Sequence, residues 1–232
     1  MKKILFILVA SLIVSGTALA SSGPEVAKQE WSFNSISANW EKDKIKRGYA
    51  VATQVCMSCH GFKYISHRNL MEVGFSEAEA ITMATEMDVK LNSPLKSMLT
   101  KEDAMDSYGK DVPDLSIMNK ARGGGADYVY AILTGYAEEV PISFEGMNYN
   151  TAFPGHNIAM PAPLMDELIE YADDTPATIK QMAHDVTYFM QWTAEPELLE
   201  RKKLGVYVLI YLFLFAILTI LLKKRIWKRL KK

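Results

Sequence analysis

The sequence contains very little cysteine, with two residues in a chain of 232. Both lie in one short stretch, as Cys56 and Cys59. This scarcity excludes the framework of several disulfides that stabilises many small secreted domains. A structural zinc site is also disfavoured, because it needs a second pair of Cys or His ligands at zinc spacing and none follows. The chemistry of the two thiols must therefore be local.

Glycine-rich nucleotide-binding motifs are missing as well. A glycine triplet occurs at residues 123–125, but neither the P-loop pattern nor the dinucleotide pattern surrounds it. Strand and helix patterns do not alternate, which disfavours a thioredoxin-like or other α/β fold. The apolar spacing is helical, so we predict an all-α domain.

The two ends of the chain carry different apolar segments. Residues 1–20 begin with two lysines after Met1, continue through a short apolar run and close on Ala18-Leu19-Ala20, the pattern of a secretory signal peptide. That run is too short to cross roughly 30 Å of hydrocarbon, so a retained anchor is the weaker alternative. Residues 204–222 carry no charge, and at ~1.5 Å per residue a helix of this length matches the bilayer core.

Charge sets the topology. The final segment, residues 223–232, is rich in Lys and Arg and should be cytoplasmic by the positive-inside rule. The signal peptide sends residues 21–203 to the other side. We therefore predict a bacterial inner-membrane protein with a periplasmic domain over 21–203, a transmembrane helix over 204–222 and a basic cytoplasmic tail.

The formal net charge of −1 hides a separation along the chain. All the Asp and Glu residues lie in residues 21–203, whereas many of the Lys and Arg residues lie in the signal peptide and the tail. The external domain is therefore negative by roughly ten units, which attracts basic partners and repels nucleic acid. Ordinary solubilising charge accounts for part of this excess.

The two cysteines belong to the stretch Cys56-Met57-Ser58-Cys59-His60. This C-x-x-C-H pattern is the signature of covalent c-type haem attachment, in which the thiols anchor the haem and the histidine binds the iron. Upstream apolar residues recur at helical spacing and predict an amphipathic helix that carries the motif. A redox pair or a local disulfide remains an alternative, although a disulfide would close only a very small loop.

The second axial ligand decides whether such an iron carries electrons or binds gases. Met160 is the preferred candidate because Pro154 and Pro161 brace its loop, and His156 is its competitor. Met182 and Met190 lie on the apolar face of a predicted helix, so we expect them to be core residues.

Three further helices are predicted. One opens at a capping box at Ser76 and runs to about residue 91, and one covers residues 127–134. A third has Thr175 as its N-cap and Pro176 as its first residue, and runs to about residue 192. Arg122 is a candidate partner for a haem propionate, with an ordinary surface arginine as the alternative.

Over nearly the whole mature chain, the sequence resembles the cytochrome c1 family, the haem c subunits of ubiquinol-cytochrome c oxidoreductase, the bc1 complex. The resemblance lies in residues 55–60 with Arg68, residues 113–116, 121–124, 127–130 and 133–136, residues 153–155 with Met160 and Pro161, and residues 185–192 with Glu195, Pro196, Arg201 and Lys202.

The resemblance implies a class I cytochrome c-like haem domain with insertions, anchored by one C-terminal helix. It implies a single haem c held by Cys56 and Cys59, with His60 and Met160 as axial ligands. The implied pocket residues are Pro113, Arg122, Tyr128, Ile132 and Phe153. The implied role is electron transfer from the Rieske iron-sulfur protein to a cytochrome c, in a membrane complex with cytochrome b, and not catalysis by this chain alone.

The sequence departs from the family pattern in two respects, and two other functions are alternatives. Residues 107–112 differ from the family's usual sequence before residues 113–116, which puts haem contacts from this segment in doubt. The chain has no cysteine pair to brace the loop of Met160. A free tethered cytochrome c is disfavoured because no flexible linker precedes the membrane segment, and a haem-based gas sensor would require an open iron face.

Overall fold

The computed structural model describes residues 24, 26–35, 37–137 and 139–230. The predicted signal peptide at residues 1–20 and the last two residues of the basic tail lie outside the described residues. Helices dominate the described part, and the all-α prediction is confirmed. The α-helices are α1 Lys42–Gln54, α2 Glu77–Glu86, α3 Lys101–Tyr108, α4 Met118–Ala121, α5 Gly125–Thr134, α6 Ile179–Ala194 and α7 Leu198–Leu230. Shorter 3-10 helices cover Ser32–Asn34, Cys56–Ser58 and His67–Val73.

Short strands are present, although no convincing strand was predicted from the sequence. β1 Phe62–Ser66 pairs antiparallel with β2 Pro94–Leu95, with an irregular register between them. β3 Asn148–Tyr149 pairs antiparallel with β4 Asn157–Ile158. These strands pair in two-stranded sheets that join loops. Most of them have two residues, which is too few to produce an alternating apolar pattern.

The core is organised around the crossing of α1 and α6. Ile45 and Ala52 on α1 are fully buried, as are Met182 and Phe189 on α6. Gly48 lies at the crossing, where an added Cβ would stand 2.1 Å from the backbone oxygen of Asp185. Only glycine permits this close approach of the two helix backbones.

A buried ion pair joins the same two helices. Asp185 on α6 is fully buried and faces the guanidinium of Arg47 on α1, with Nε and Oδ2 2.8 Å apart. Arg47 also contacts Asp173 in the preceding loop at 2.8 Å. Removing one partner of such a pair leaves an uncompensated buried charge, which is strongly destabilising. An arrangement of α1 and α6 that separates Arg47 from Asp185 is therefore disfavoured.

Three helix boundaries differ from those that the sequence predicted, and one of them is the start of α5, which lies at Gly125 and not at residue 127. The helix at Ser76 has the expected capping box but ends at Glu86, because Asp88 adopts φ +53°. The N-cap of α6 is Thr178, whose Oγ1 accepts the Gln181 amide hydrogen at 3.2 Å. Residues 175–178 are not helical, because the carbonyl of Ala177 accepts a hydrogen bond from Glu167 in the preceding loop.

The long helix α7 follows α6 after a link of only three residues. The most apolar 18-residue window of this helix has a mean hydropathy of 2.7 and is not buried within the protein, and the helix is long and apolar enough to cross a membrane. Its first turns are fastened to the domain. Glu195 contacts Lys120 and Arg201, and the Lys202 ammonium donates to the carbonyls of Phe33 and Ser35. The short link and these contacts exclude a long flexible tether within the described residues.

Candidate haem-binding site

The attachment motif follows directly from the end of α1. The helix ends at Gln54, and Cys56–Ser58 forms one 3-10 turn. The amides of Cys59 and His60 both donate to the carbonyl of Cys56, at 3.1 and 2.8 Å. Both thiols are free and partly buried, and burial raises the pKa of Cys56 to about 12. The turn therefore carries two free thiols that no disulfide joins.

Other metal sites are not built around these thiols. Among the described residues, no group of three or more His, Cys, Asp or Glu side chains is placed to hold a metal ion. The donor set at the motif is two thiols and one imidazole on a single turn, which fits covalent haem and not four-coordinate zinc.

His60 is oriented by a hydrogen bond from its ring. Its Nδ1 lies 2.7 Å from the backbone oxygen of Pro113, and because a carbonyl only accepts, Nδ1 carries the hydrogen. The lone pair of Nε2 is then free for a metal, the arrangement that metal-binding histidines use. Burial lowers the pKa of His60, partly opposed by the Pro113 carbonyl and Asp114, so the ring is neutral at pH 7.

The segment with Pro113 is itself fixed beside the motif. Asp114 accepts hydrogen bonds from the amides of Lys63 and Ser116, at 2.9 and 3.0 Å. The Leu115 amide donates to the carbonyl of Gly61 at 2.8 Å. The prediction that Pro113 belongs to the site thus gains a physical reason, since its carbonyl is held where it can orient His60.

Met160 lies in a small hydrophobic cluster separate from the main core. Ile132, Ala152 and Ile158 are its buried members. Partly buried residues pack against them, namely Val26, Tyr128, Ala131, Tyr136, Phe153 and Met160. Three predicted pocket residues therefore share one apolar environment with the predicted methionine ligand.

Helix α5 connects this cluster to the main core. One face carries Ala126 and Val129 into the main core, and the other carries Tyr128 and Ile132 towards Met160. Residues four apart lie on the same face of a helix, which explains why Tyr128 and Ile132 act together.

Hydrogen bonds brace the loop of Met160 in place of a disulfide. The Tyr136 hydroxyl donates to the carbonyl of Met160 at 2.9 Å. The fully buried Asn150 donates from Nδ2 to the carbonyl of Ile132 at 2.8 Å and accepts from the amide of Ala152 at 3.0 Å. The side-chain Nδ2 of Asn148 also donates to the carbonyls of Ile158 and Ala159, just before Met160, at 3.2 and 3.3 Å.

His156, the competing ligand, is engaged within the same loop. Its Nδ1 lies 3.1 Å from the carbonyl of Asn150, and its ring packs against Tyr149. Its backbone has φ +60°, next to Gly155 at φ +75°, and its amide donates to the carbonyl of Phe153 at 2.8 Å, so both residues belong to a turn near the end of the loop between β3 and β4. The Nδ1 contact does not separate the two candidates, because His60 makes the same kind of contact; Met160 is favoured because it packs in the apolar cluster with Tyr128 and Phe153.

The remaining predicted features lie at the surface. Arg122 is exposed, and its Nη1 donates a hydrogen bond to the carbonyl of the adjacent Ala121 at 3.2 Å. In the divergent segment 107–112, Gly109 ends α3 with φ +65°, and Asp111 pairs with Lys101 at 3.0 Å. This segment therefore serves as a helix end held by a surface ion pair.

Sequence reasoning missed the residues that brace the loop. Tyr136 lay within a stretch that carried the resemblance, so its position was available although its hydroxyl contact was not. Asn148 and Asn150 gave no signal, because their partners lie 10 to 18 residues away. A lone asparagine in a loop is usually solvated or part of a turn.

The fold and the site define a class. An all-α domain with one C-terminal apolar helix, a C-x-x-C-H turn, an oriented histidine and a methionine in an apolar cluster are the features of a membrane-anchored c-type cytochrome.

The comparisons identify the family. The model of the Cytochrome C1 family matches residues 31–230, and the chain belongs to this family. It is 36% identical to cytochrome c1 of Rhodospirillum rubrum, with 95% of this chain and 94% of that protein covered. It is 39% identical to a mitochondrial cytochrome c1 heme protein of Arabidopsis thaliana, covering 91% and 74%. It is 36% identical to the cytochrome b-c1 complex catalytic subunit of Candida albicans, covering 95% and 84%.

Proposed function

We propose that the chain is the haem-carrying, electron-transfer subunit of a cytochrome bc1 complex. It accepts an electron from the Rieske iron-sulfur protein and passes it to a periplasmic cytochrome c. The observation that carries this proposal is the C-x-x-C-H turn with its oriented His60, and the apolar cluster that contains Met160 supports it. Family membership and the name of the Candida albicans relative support placement in the complex.

The residues present fit one covalent haem c. Cys56 and Cys59 provide two thiols on one turn, His60 provides a neutral imidazole and Met160 a thioether. When bound, haem c would supply a one-electron iron couple, and ligation by the Met160 thioether together with the His60 imidazole would raise its potential. No substrate bond is made or broken, so this chain acts as an electron carrier and not as an enzyme on its own.

The surrounding side chains have separate tasks in this proposal. Tyr128, Ile132 and Phe153 provide the apolar wall on the Met160 side, which excludes water and favours a high potential. Pro113 orients His60 through its carbonyl. Arg122 is exposed and free of a salt bridge in the described structure, so its guanidinium is suited to a haem propionate.

The proposed topology places residues 21–203 in the periplasm and the C-terminal tail in the cytoplasm of a bacterial inner membrane. Helix α7 supplies the single span and contacts the lipid bilayer and cytochrome b. Its C-terminal turns carry Lys223, Lys224, Arg225 and Lys228, in agreement with the positive-inside rule.

Two other functions fit less well. A tethered electron shuttle needs a flexible linker, and the link between α6 and α7 has three residues. A gas sensor needs an open iron face, whereas Met160 lies in a braced loop against apolar neighbours. The acidic domain fits a basic docking partner such as a cytochrome c and is unsuited to nucleic acid.

Co-purification tests membership in the complex. A tagged chain is extracted from membranes in mild detergent, reduced-minus-oxidised spectra are recorded and the accompanying subunits are identified. We expect b-type haem and a Rieske protein to accompany the c-type absorbance. A Cys56→Ser, Cys59→Ser variant is the control for covalent haem. Isolation of the chain alone with only c-type absorbance would support the tethered shuttle and contradict the proposal.

A further inference from the structure

The first described stretch of the chain lies across the domain as a strap. We call residues 26–35 the N-terminal strap. Apart from the 3-10 turn Ser32–Asn34, it has no regular secondary structure, yet Trp31 and Phe33 are 6% and 3% exposed. Such deep burial of an irregular segment shows that the strap is part of the core.

One side chain of α5 fastens the middle of the strap. Oδ1 of Asp127 accepts hydrogen bonds from the amide of Gln29 at 2.9 Å and from Nε1 of Trp31 at 2.7 Å. Asp127 lies in the first turn of α5, where the helix N-terminus favours a negative charge. Both contacts are charge-assisted, the stronger class of hydrogen bond.

The ring of Trp31 is held on further sides. It stacks on His184 of α6 with centroids 4.7 Å apart and on Phe33 at 5.4 Å. It also meets the edge of Tyr130 on α5. The indole therefore stands between α5 and α6, and a shift of α5 away from α6 would break its bond to Asp127.

The two ends of the strap reach different parts of the molecule. At one end, Val26 packs in the cluster of Met160 and stands beside Gly124, where an added Cβ would lie 3.6 Å from its Cγ2. At the other end, the carbonyls of Phe33 and Ser35 accept hydrogen bonds from Lys202 on α7. The strap thus connects the membrane helix to the apolar wall beside Met160.

We propose that Asp127 and Trp31 are positioning residues for the haem pocket. Their hydrogen bond holds α5 so that its other face, with Tyr128 and Ile132, stays packed around Met160. Loss of the bond loosens this wall and allows Met160 to leave the iron more often. This inference rests on the proposed function, in which Met160 is the axial ligand.

Carbon monoxide binding to the reduced, haem-loaded full chain tests the proposal. Trp31→Phe keeps an aromatic ring for stacking but deletes the donor to Asp127. The matched control is Trp40→Phe, which deletes the same type of donor, here to the carbonyl of Pro196 at 3.3 Å, and keeps a ring beside Phe33 of the strap. We expect about tenfold faster binding in Trp31→Phe, equivalent to about 1.4 kcal/mol, and wild-type rates in Trp40→Phe.

Hydrogen exchange of the Gln29 amide reports whether the strap is released. The proposal would be overturned if the Gln29 amide exchanged faster in Trp31→Phe while the rate of carbon monoxide binding stayed unchanged. It would also be overturned if Trp40→Phe accelerated carbon monoxide binding as much as Trp31→Phe does. If Trp31→Phe does not accumulate with haem, Asp127→Asn takes its place, since it keeps an acceptor oxygen without the charge. We expect a smaller acceleration there, and an unchanged rate refutes the inference. Rapid carbon monoxide binding by the wild type would contradict both ligation by Met160 and the positioning role of Asp127 and Trp31, because the iron would already be accessible.

Discussion

Replacing Gly48 by alanine tests the helix crossing that positions the haem motif. The added Cβ would lie 2.1 Å from the backbone oxygen of Asp185 and 2.7 Å from the Cβ of Phe189. Neither atom is the end of a flexible side chain, so α1 and α6 must move apart by roughly 1 Å in a close-packed core. Overpacking costs about 1–3 kcal/mol, and an overlap with backbone belongs at the upper end.

The helix preference of alanine offsets part of this cost, by about 1 kcal/mol. The net loss in the free energy of unfolding is then about 2 kcal/mol. In guanidinium chloride, with a slope of about 4 kcal/mol/M, this moves the midpoint down by about 0.5 M.

The assay is guanidinium denaturation of the haem-loaded full chain in detergent, followed by circular dichroism of the haem. Gly205→Ala is the matched control, because Gly205 also lies in a helix and an added Cβ meets nothing within 4 Å. We expect this control to unfold at the wild-type midpoint or slightly above it. A Gly48→Ala protein with an unchanged midpoint would refute the close crossing of α1 and α6.

Three further predictions concern the ligand, acidity and salt. Met160→Leu should speed carbon monoxide binding and lower the reduction potential, because the iron loses a ligand. Met182→Leu, at a fully buried core position, should change neither quantity. If the two variants behave alike, Met160 is not an iron ligand. Burial alone would raise the pKa of Asp185, but hydrogen bonds from neighbouring side chains, Arg47 among them, bring it below the ordinary value. The stability gained from its ionised form is therefore complete above the unfolded-state pKa of about 4 and is lost as the pH falls through the lower folded-state value. The wild type should have a larger free energy of unfolding than Asp185→Asn, and this difference should narrow below about pH 4. A difference that does not depend on pH would contradict this reasoning. Electron transfer to the acceptor cytochrome should slow as ionic strength rises past ~0.1 M, where the Debye length falls below about 10 Å; a rate indifferent to salt would refute electrostatic steering.

The sequence predicted those features that depend on local order. Ile45, Tyr49 and Ala52 recur at helical spacing and are all buried on α1, and the capping box at Ser76 forms as expected. The attachment turn at Cys56 is contained within five residues, so its chemistry could be inferred without a fold. Core positions for Met182 and Met190 are also confirmed.

Contacts between distant segments were beyond the reach of the sequence. The N-cap of α6 lies at Thr178 and not at Thr175, because the carbonyl of Ala177 accepts a hydrogen bond from a preceding loop and the intervening residues stay outside the helix. The bond between Asp127 and Trp31 joins residues 96 positions apart. The brace of Asn150 likewise depends on how the β3–β4 turn folds back on α5. Tertiary packing, and not local preference, fixes these positions.

The most direct test of the proposed function is the kinetics of haem reduction in membranes. Quinol is added to membranes that contain the chain, with and without the Rieske protein, and c-type absorbance is followed before and after addition of oxidised cytochrome c. We expect rapid reduction only when the Rieske protein is present, and rapid reoxidation by the added cytochrome c. Equally rapid reduction without the Rieske protein, or failure of cytochrome c to reoxidise the chain, would contradict the proposed place of this protein between the two carriers.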